Sequence, residues 1–527
     1  VCSITCSAHC SNYKVERSFR SVIERGGQRL TRVELHDTDA ALHTTSKYYK
    51  ILNIPGYDNT WTYYNKCKCN EFQAFVHRHC VQEIVDKTTA PFLRLVNLSK
   101  TVSNKILTNT TPFKRWDHTT LMKNTRTHLK SRYQRAKESL QSGFHNSFSQ
   151  MSKVKAFIKF EKMGVDKVLE SKPARLIQHR SYEYLYLLKS IIGPITDHLK
   201  KSDTKISDTQ SIKDIFGVGL SNEDLSAKIV KTFHNHKDCV VLCLDHSKWD
   251  GHYSLELMEV MHDFWISLVN KPNARLLKKL FKFQRINRGS SQKGLKFTTF
   301  ASRMSGEYTT SVENTLANYF ILKTIFPISS IIACGDDSLV FLDRKEYDIL
   351  DKSSLKEMFS YFGQDTKMDR IAFELEQIDF CQCSPVCVNG TYRMVRNPKR
   401  LFGRIQYTNL HMRDELRDKY ISGLALCELS MHSGVPLIQE LCLKMLNLTN
   451  MVCPSKLAID REAMVTEQKA SYRIIDYNTR LSFERAFGIS PIEQDEIEKS
   501  FDATYSPKVI QFLKQFENFK ASEHRDQ

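Results

Sequence analysis

The chain has 527 residues, with 77 Lys and Arg against 59 Asp and Glu and a formal charge of +18. That length is too great for one simple core, and 41% hydrophobic content with 10% aromatic residues excludes a disordered chain. No run of about 18 apolar residues occurs, so no membrane span is expected, and the basic excess points to a polyanionic partner. The cysteines number 15, odd and scattered. Without a signal peptide they fit free thiols in a reducing compartment. A start at Val1 suggests part of a longer product, with any membrane-targeting or partner-binding segment upstream.

Residues 1–150 are polar and basic. Cys2, Cys6 and Cys10 recur at fixed spacing, and Cys67, Cys69, His77, His79 and Cys80 form a second group. Zinc is one reading of these residues. Their spacing matches no paired pattern, so core thiols and surface histidines are preferred. Residues 121–142 read as one basic helix carrying Arg126, Lys130, Arg132, Arg135 and Lys137. Residues 153–160 alternate basic and apolar, as in a strand with one wet basic face. Residues 181–200 read as a helix interrupted at Gly193-Pro194. An apolar strand, 238–244, ends at Asp245, and helices follow at 253–269 and 307–325. Residues 329–342 are apolar around Gly335-Asp336-Asp337, a hairpin signal. From about 401 the pattern is helical, with breaks at Gly434-Val435-Pro436 and Pro454.

Chemistry concentrates in three places. Asp245 ends its strand, and the following turn can return Asp250 to the same pocket. One carboxylate can ligate a metal ion while the other meets a sugar hydroxyl. Asp336 and Asp337 stand where a strand reverses. Carboxylates this close repel and raise each other's pKa, a penalty that divalent cations remove. Oxygen-only ligands favour Mg²⁺ or Mn²⁺. Between these stretches, Ser305-Gly306 precedes a helix on which Thr310 and Asn314 share a face. Gly306 permits backbone shapes other residues resist. Hydroxyl and amide groups there could hold a ribose; an ordinary helix cap at Ser305 is the plain alternative. Lys155, Lys159, Lys162, Lys172, Arg175 and Arg180 could line a channel for a triphosphate. Lys367 could donate a proton to departing pyrophosphate.

In this order the motifs resemble those of viral RNA-dependent RNA polymerases, and within them the tombusvirus-like (carmovirus-like) group. The match rests on Asp245-His246-Ser247-Lys248-Trp249-Asp250 and on Ser305-Gly306-Glu307-Tyr308-Thr309-Thr310 through Asn314. It also rests on Gly335-Asp336-Asp337, on the basic segments 156–162 and 172–178, and on 380–386 with 394–398. Glu313 stands where that group carries a small residue. The resemblance implies a mixed α+β right hand. Residues 1–150 would be an N-terminal extension with fingertips, and 151–236 fingers with the basic NTP-channel motif and the start of the palm. Residues 237–400 would form a palm on an antiparallel sheet, with a fingers insertion near 272–300, and 401–527 a helical thumb. It implies two Mg²⁺ or Mn²⁺ ions on Asp245 and Asp336 with Asp337 assisting. Asp250, Ser305, Gly306, Thr310 and Asn314 would serve the ribose, Lys159 and Arg175 the triphosphate, and Lys367 would be general acid. The implied partners are single-stranded RNA template, RNA product, NTPs and an accessory viral replication protein. The implied place is the host cytoplasm, at membrane-associated replication complexes reached through segments or partners outside this chain. A reverse transcriptase and a non-catalytic RNA-binding scaffold are the competing readings. The Asp at position 250 with Asn314 available argues for ribonucleotides, and the full acidic set argues against a scaffold.

Overall fold

The computed structural model describes residues 19–25, 29–35, 48–57, 61–80, 85–143, 147–170, 172–452, 470–501 and 511–513; for the first two stretches it describes the backbone only. Cys2, Cys6, Cys10 and Pro454 lie outside them. Helices pack around two main sheets. The first is fully antiparallel, in the order Ser330–Cys334, Asp337–Leu342, Val240–Ser247, Asp365–Ala372. Its apolar runs do not alternate, because both faces are covered. Val240, Leu242 and Leu244 join the large core beneath helices Leu255–Ser267 and Thr310–Ile325. Val241 and Cys243 pack on the other side with Ile229, Leu339 and Phe341. The strand runs two residues past Asp245, to Ser247.

The second sheet has six strands: Phe19–Arg25, Arg29–Leu35, Leu295–Phe300, Ile286–Ser291, Val154–Ile158 and Leu176–His179. Residues 286–300 thus pair with strands far away in sequence, not with the four-stranded sheet. Val154, Ala156 and Ile158 are buried and Lys155 is exposed, as the alternation predicts. Phe157 shares the wet face, so that face is not purely basic.

C-terminal helices Pro398–Ile405, Asp414–His432, Ile438–Leu448, Tyr477–Phe487 and Pro491–Ser500 surround a third core, which Leu52 and Ile54 also enter. Tyr49–Lys50 pairs with Tyr407–Thr408, whereas Trp61–Tyr63 pairs with Lys162–Gly164. One short N-terminal stretch therefore fastens the helical body to the six-stranded side.

Two helix expectations change. Tyr182–Lys201 is one helix despite Pro194. The proline removes the donor to Ser190 O, and Trp116 N–H supplies it instead at 2.8 Å. The Trp116 ring also fills the space where a Cβ on Gly193 would sit. Conversely, the basic helix splits into His118–Lys123 and Thr127–Gln141. There Asn124 Nδ2 and Thr125 Oγ1 donate to Thr120 O (3.0 Å) and Leu121 O (2.7 Å), competing with helix continuation.

A buried ionic chain joins the six-stranded sheet to helix Thr310–Ile325. Arg180 donates to Glu307 at 2.5 Å and to Ser152 O and Asn287 Oδ1. Arg303 donates to Glu307 at 3.3 Å and to Glu313. Glu313 also accepts from Tyr253 OH at 2.9 Å and Trp265 Nε1 at 3.0 Å. The departure at Glu313 is thus the counter-charge of Arg303, whose side chain is fully buried. Arg180 is structural and does not line a triphosphate channel. Glu313→Ala should leave Arg303 uncompensated and cost roughly 3–5 kcal/mol, read from urea midpoints, with Glu313→Gln costing less.

Candidate active site

The register of the four-stranded sheet gathers the acids. Ser338 pairs with Leu244, so the next rung places Asp337 opposite Asp245. Lys367 pairs directly with Asp245 from the other side. Residues facing each other across an antiparallel ladder share a sheet face. Asp337, Asp245 and Lys367 therefore stand in a row on one face, at its open rim. Asp336 sits in the turn, which Gly335 makes possible at φ +74.

Burial, then the charge of Asp369, raises the Asp245 carboxyl, while Lys172, Lys367 and Lys167 oppose the shift. Burial, then Asp250, then Asp245, pushes Asp336 up to about 6. Burial, then Asp336 and Asp245, pushes Asp337 up to about 7. These carboxylates feel one another. Still, among the described residues no three His, Cys, Asp or Glu side chains are grouped to hold a metal ion. Like charges hold one another off, and a hard dication is the species that oxygen ligands of raised pKa accommodate. The donor set fits such an ion.

The turn is pinned from helix Thr310–Ile325. Gly335 N–H donates to Thr315 Oγ1 at 2.9 Å, and Asn318 Nδ2 donates to Gly335 O at 3.1 Å and Asp336 O at 3.3 Å. Asn318 Oδ1 accepts from His246 Nε2 at 2.9 Å, and His246 Nδ1 accepts from Thr366 Oγ1 at 2.7 Å. Burial pushes His246 down to about 4, so it stays neutral and keeps this tautomer. The sequence reading missed His246, Asn318 and Thr366. The available signals were the place of His246 between Asp245 and Ser247 and the four-residue step from Asn314 to Asn318.

Asp250 is buried on the short helix Trp249–His252, which Lys248 starts from a left-handed conformation. Its Oδ2 accepts from Arg78 Nη2 at 2.7 Å and Arg78 Nε at 3.1 Å. Asn314 is also buried, with no partner for its Oδ1. Ser305 does not cap the helix, whose first residue is Thr310. Ser305 Oγ instead donates to Leu176 O at 3.1 Å and accepts from Gln178 N–H at 3.3 Å. Gly306 is required by proximity, not by a left-handed backbone: a Cβ there would lie 2.6 Å from Gln178 O. Thr310 Oγ1 is engaged with Met304 O at 3.0 Å. Of the expected ribose set, Asp250 and Asn314 retain acceptor capacity in this structure.

Lys159 and Arg175 are one rung past the Ile158–Leu176 pair. Both cations contact Glu161, Lys159 at 2.9 Å. Burial disfavours Glu161 ionisation, but Arg175 and Lys159 outweigh it and lower its pKa. The charges of Asp336 and Asp250 add to the raised pKa of Arg175, after Glu161 itself. Lys162 departs from the expected channel and donates to Arg404 O at 2.8 Å. The zinc group finds no support: the His79 ring nitrogens meet Ser302 Oγ at 2.5 Å and Gln178 Nε2 at 2.7 Å.

Comparison with known proteins identifies the family. Residues 35–507 match the family model described as viral RNA dependent RNA polymerase. The chain belongs to that family of viral RNA-dependent RNA polymerases. It is 29% identical over 356 residues to the RNA-directed RNA polymerase of Carnation mottle virus, covering 66% of this chain and 46% of the relative. The enzyme of Tobacco necrosis virus (strain A) is 27% identical, covering 69% of this chain and 51% of the relative. That of Turnip crinkle virus is 25% identical, covering 67% and 46%. These are the tombusvirus-like relatives that the motifs resemble, and the chain spans about half their length.

The raised carboxyls stabilise the fold below their ordinary 3.8 and lose that contribution as pH rises through about 6 for Asp336 and about 7 for Asp337. Metal-free protein should therefore melt lower at pH 8 than at pH 5 from these groups. Asp337→Asn should flatten that slope and melt several degrees higher at pH 8 by calorimetry. A second expectation concerns the pinned turn. His246→Ala should cost roughly 1–3 kcal/mol, read from urea midpoints, by leaving Asn318 and Thr366 without their shared partner.

Proposed function

We propose that this chain is the catalytic part of an RNA-dependent RNA polymerase, transferring ribonucleotides from NTPs to an RNA 3′ end on a single-stranded RNA template. The carrying observation is the row Asp337–Asp245–Lys367 with Asp336 at its turn, where the acids raise one another's pKa. The four-stranded sheet corresponds to a palm, the six-stranded sheet to fingers and the C-terminal helices to a thumb. The clasp by residues 49–50 and 61–63 supports a closed hand.

Asp245, Asp336 and Asp337 would hold two Mg²⁺ or Mn²⁺ ions. When bound, such ions activate a 3′-hydroxyl and neutralise pyrophosphate. Asp250 and Asn314 accept hydrogen bonds from the ribose. Lys159 and Arg175 exchange Glu161 for the triphosphate, and the released Glu161 stays near them as the competing anion. Lys367, beside Asp245 and exposed to solvent, is placed to give a proton to the leaving group. The net charge of +18 holds template and product by their phosphates.

The test is purified protein with a single-stranded RNA template, four NTPs and Mg²⁺ or Mn²⁺. Asp336→Ala should lower incorporation by roughly a thousandfold or more, while filter binding of RNA stays within about twofold and keeps its salt slope. Unchanged synthesis by that variant defeats the assignment.

A further inference from the structure

Helix Lys68–His79 lies far upstream of every motif, yet its end reaches the short helix Trp249–His252 that follows the strand of Asp245. Its last two residues close on Asp250 from two sides. Arg78 takes the carboxylate: both of its donors, Nη2 at 2.7 Å and Nε at 3.1 Å, fall on Oδ2. Among the described residues none donates to Oδ1. His79 reaches the backbone of the same residue. Gln178 Nε2 faces His79 Nε2 at 2.7 Å, which leaves the proton on Nδ1, facing Ser302 Oγ at 2.5 Å. Ser302 Oγ in turn donates to Asp250 O at 2.9 Å, and Arg303 N–H reaches the same oxygen at 2.8 Å. Asp250 is thus fixed at its carbonyl and at one carboxylate oxygen.

What stays open is informative. The Asp250 residue is only 4% exposed and Asn314 only 5%, and the Asn314 Oδ1 is buried with no partner. A buried acceptor without a donor is costly. The orphaned Asn314 acceptor, together with the Asp250 oxygen that Arg78 leaves unengaged, calls for a hydroxyl donor from the ligand at a site built for a nucleotide. A hydroxyl pocket discriminates only when its acceptors cannot relax toward other donors. Arg78 supplies that constraint by occupying one oxygen and holding the rotamer. Its cation also partly offsets the acidic field at Asp336.

We propose that helix Lys68–His79 is a ribose-selection element, in which Arg78 and His79 orient Asp250 so that its free oxygen meets the 2′-hydroxyl of the incoming nucleotide. This rests on the polymerase reading above. Arg78 is a positioning residue: it acts on the sugar through Asp250. The chemistry it serves distinguishes a ribonucleotide from a 2′-deoxyribonucleotide.

The experiment is single-nucleotide extension of a primed RNA template with UTP and with 2′-deoxy-UTP, in wild type, Arg78→Gln, Arg78→Lys and Ser302→Ala, alongside melting temperatures. Arg78→Gln should lower kcat/KM for UTP by about tenfold and leave that for 2′-deoxy-UTP within about twofold, so that discrimination falls. Arg78→Lys should recover part of the loss, and Ser302→Ala should show a smaller loss of the same sign. An unaltered UTP to 2′-deoxy-UTP ratio in a folded Arg78→Gln overturns the proposal. So does an equal loss on both substrates, which marks a merely structural helix. If Arg78→Gln does not fold, the ratio in Arg78→Lys and Ser302→Ala decides by the same criterion. Wild type that extends with neither nucleotide refutes the polymerase reading instead.

Discussion

The buried charges of Arg180, Glu307, Arg303 and Glu313 are the constraint on which the site depends. Arg180 follows the edge strand of the six-stranded sheet, and Glu313 lies on the helix that pins the Gly-Asp-Asp turn. Each charge satisfies the next, so none can leave alone. Such a chain contributes little net stability compared with apolar packing. What it does is fix position: the segment 303–313 can sit in one place only, and Ser305 and Gly306 are thereby held against Leu176 and Gln178.

A second layer of order comes from burial on both faces of the four-stranded sheet. A one-residue slip would exchange every side chain of the Asp245 strand between two differently packed cores and turn Asp245 to the other face. That rigidity carries Asp245 and Asp337 to the rim at a fixed spacing, where desolvation and mutual repulsion raise their pKa values. The fold holds like charges together that would separate in water. His246 and Asn318 add a directional hydrogen-bond line from Thr366 to the turn, so the acids of one strand and the neighbour of Lys367 on another respond to a single imidazole.

Much of this was legible in the sequence, for identifiable reasons. The Gly-Asp-Asp hairpin is encoded locally, by two apolar runs around a glycine that accepts positive φ. Asp245 is legible because its strand is unbroken hydrophobic residues. Features fixed by distant partners were not. The split of the basic helix rests on side-chain donors at Asn124 and Thr125. The continuity through Pro194 needs Trp116. Arg180 reads as one more cation in a basic stretch, and only the fold reveals Glu307 and Asn287 around it. Ser305 looks like a cap until Leu176 and Gln178 are placed beside it. Arg78 stands 172 positions from Asp250, and no spacing rule joins them.

The strap to which residues 49–57 and 61–63 belong sets a mechanical limit. Its two ends are zipped into opposite bodies by ladders of only two and three residues. The first end is fastened well beyond its ladder: Ile51 N–H and Ile54 N–H donate to Gln406 O and Gln406 Oε1, each at 2.8 Å, and Leu52 and Ile54 are buried in the helical core. The covalent leash between Lys50 and Trp61 remains when both ladders open, and a taut chain of that length reaches roughly 40 Å. Within that leash the helical body and the six-stranded side cannot be pulled further apart.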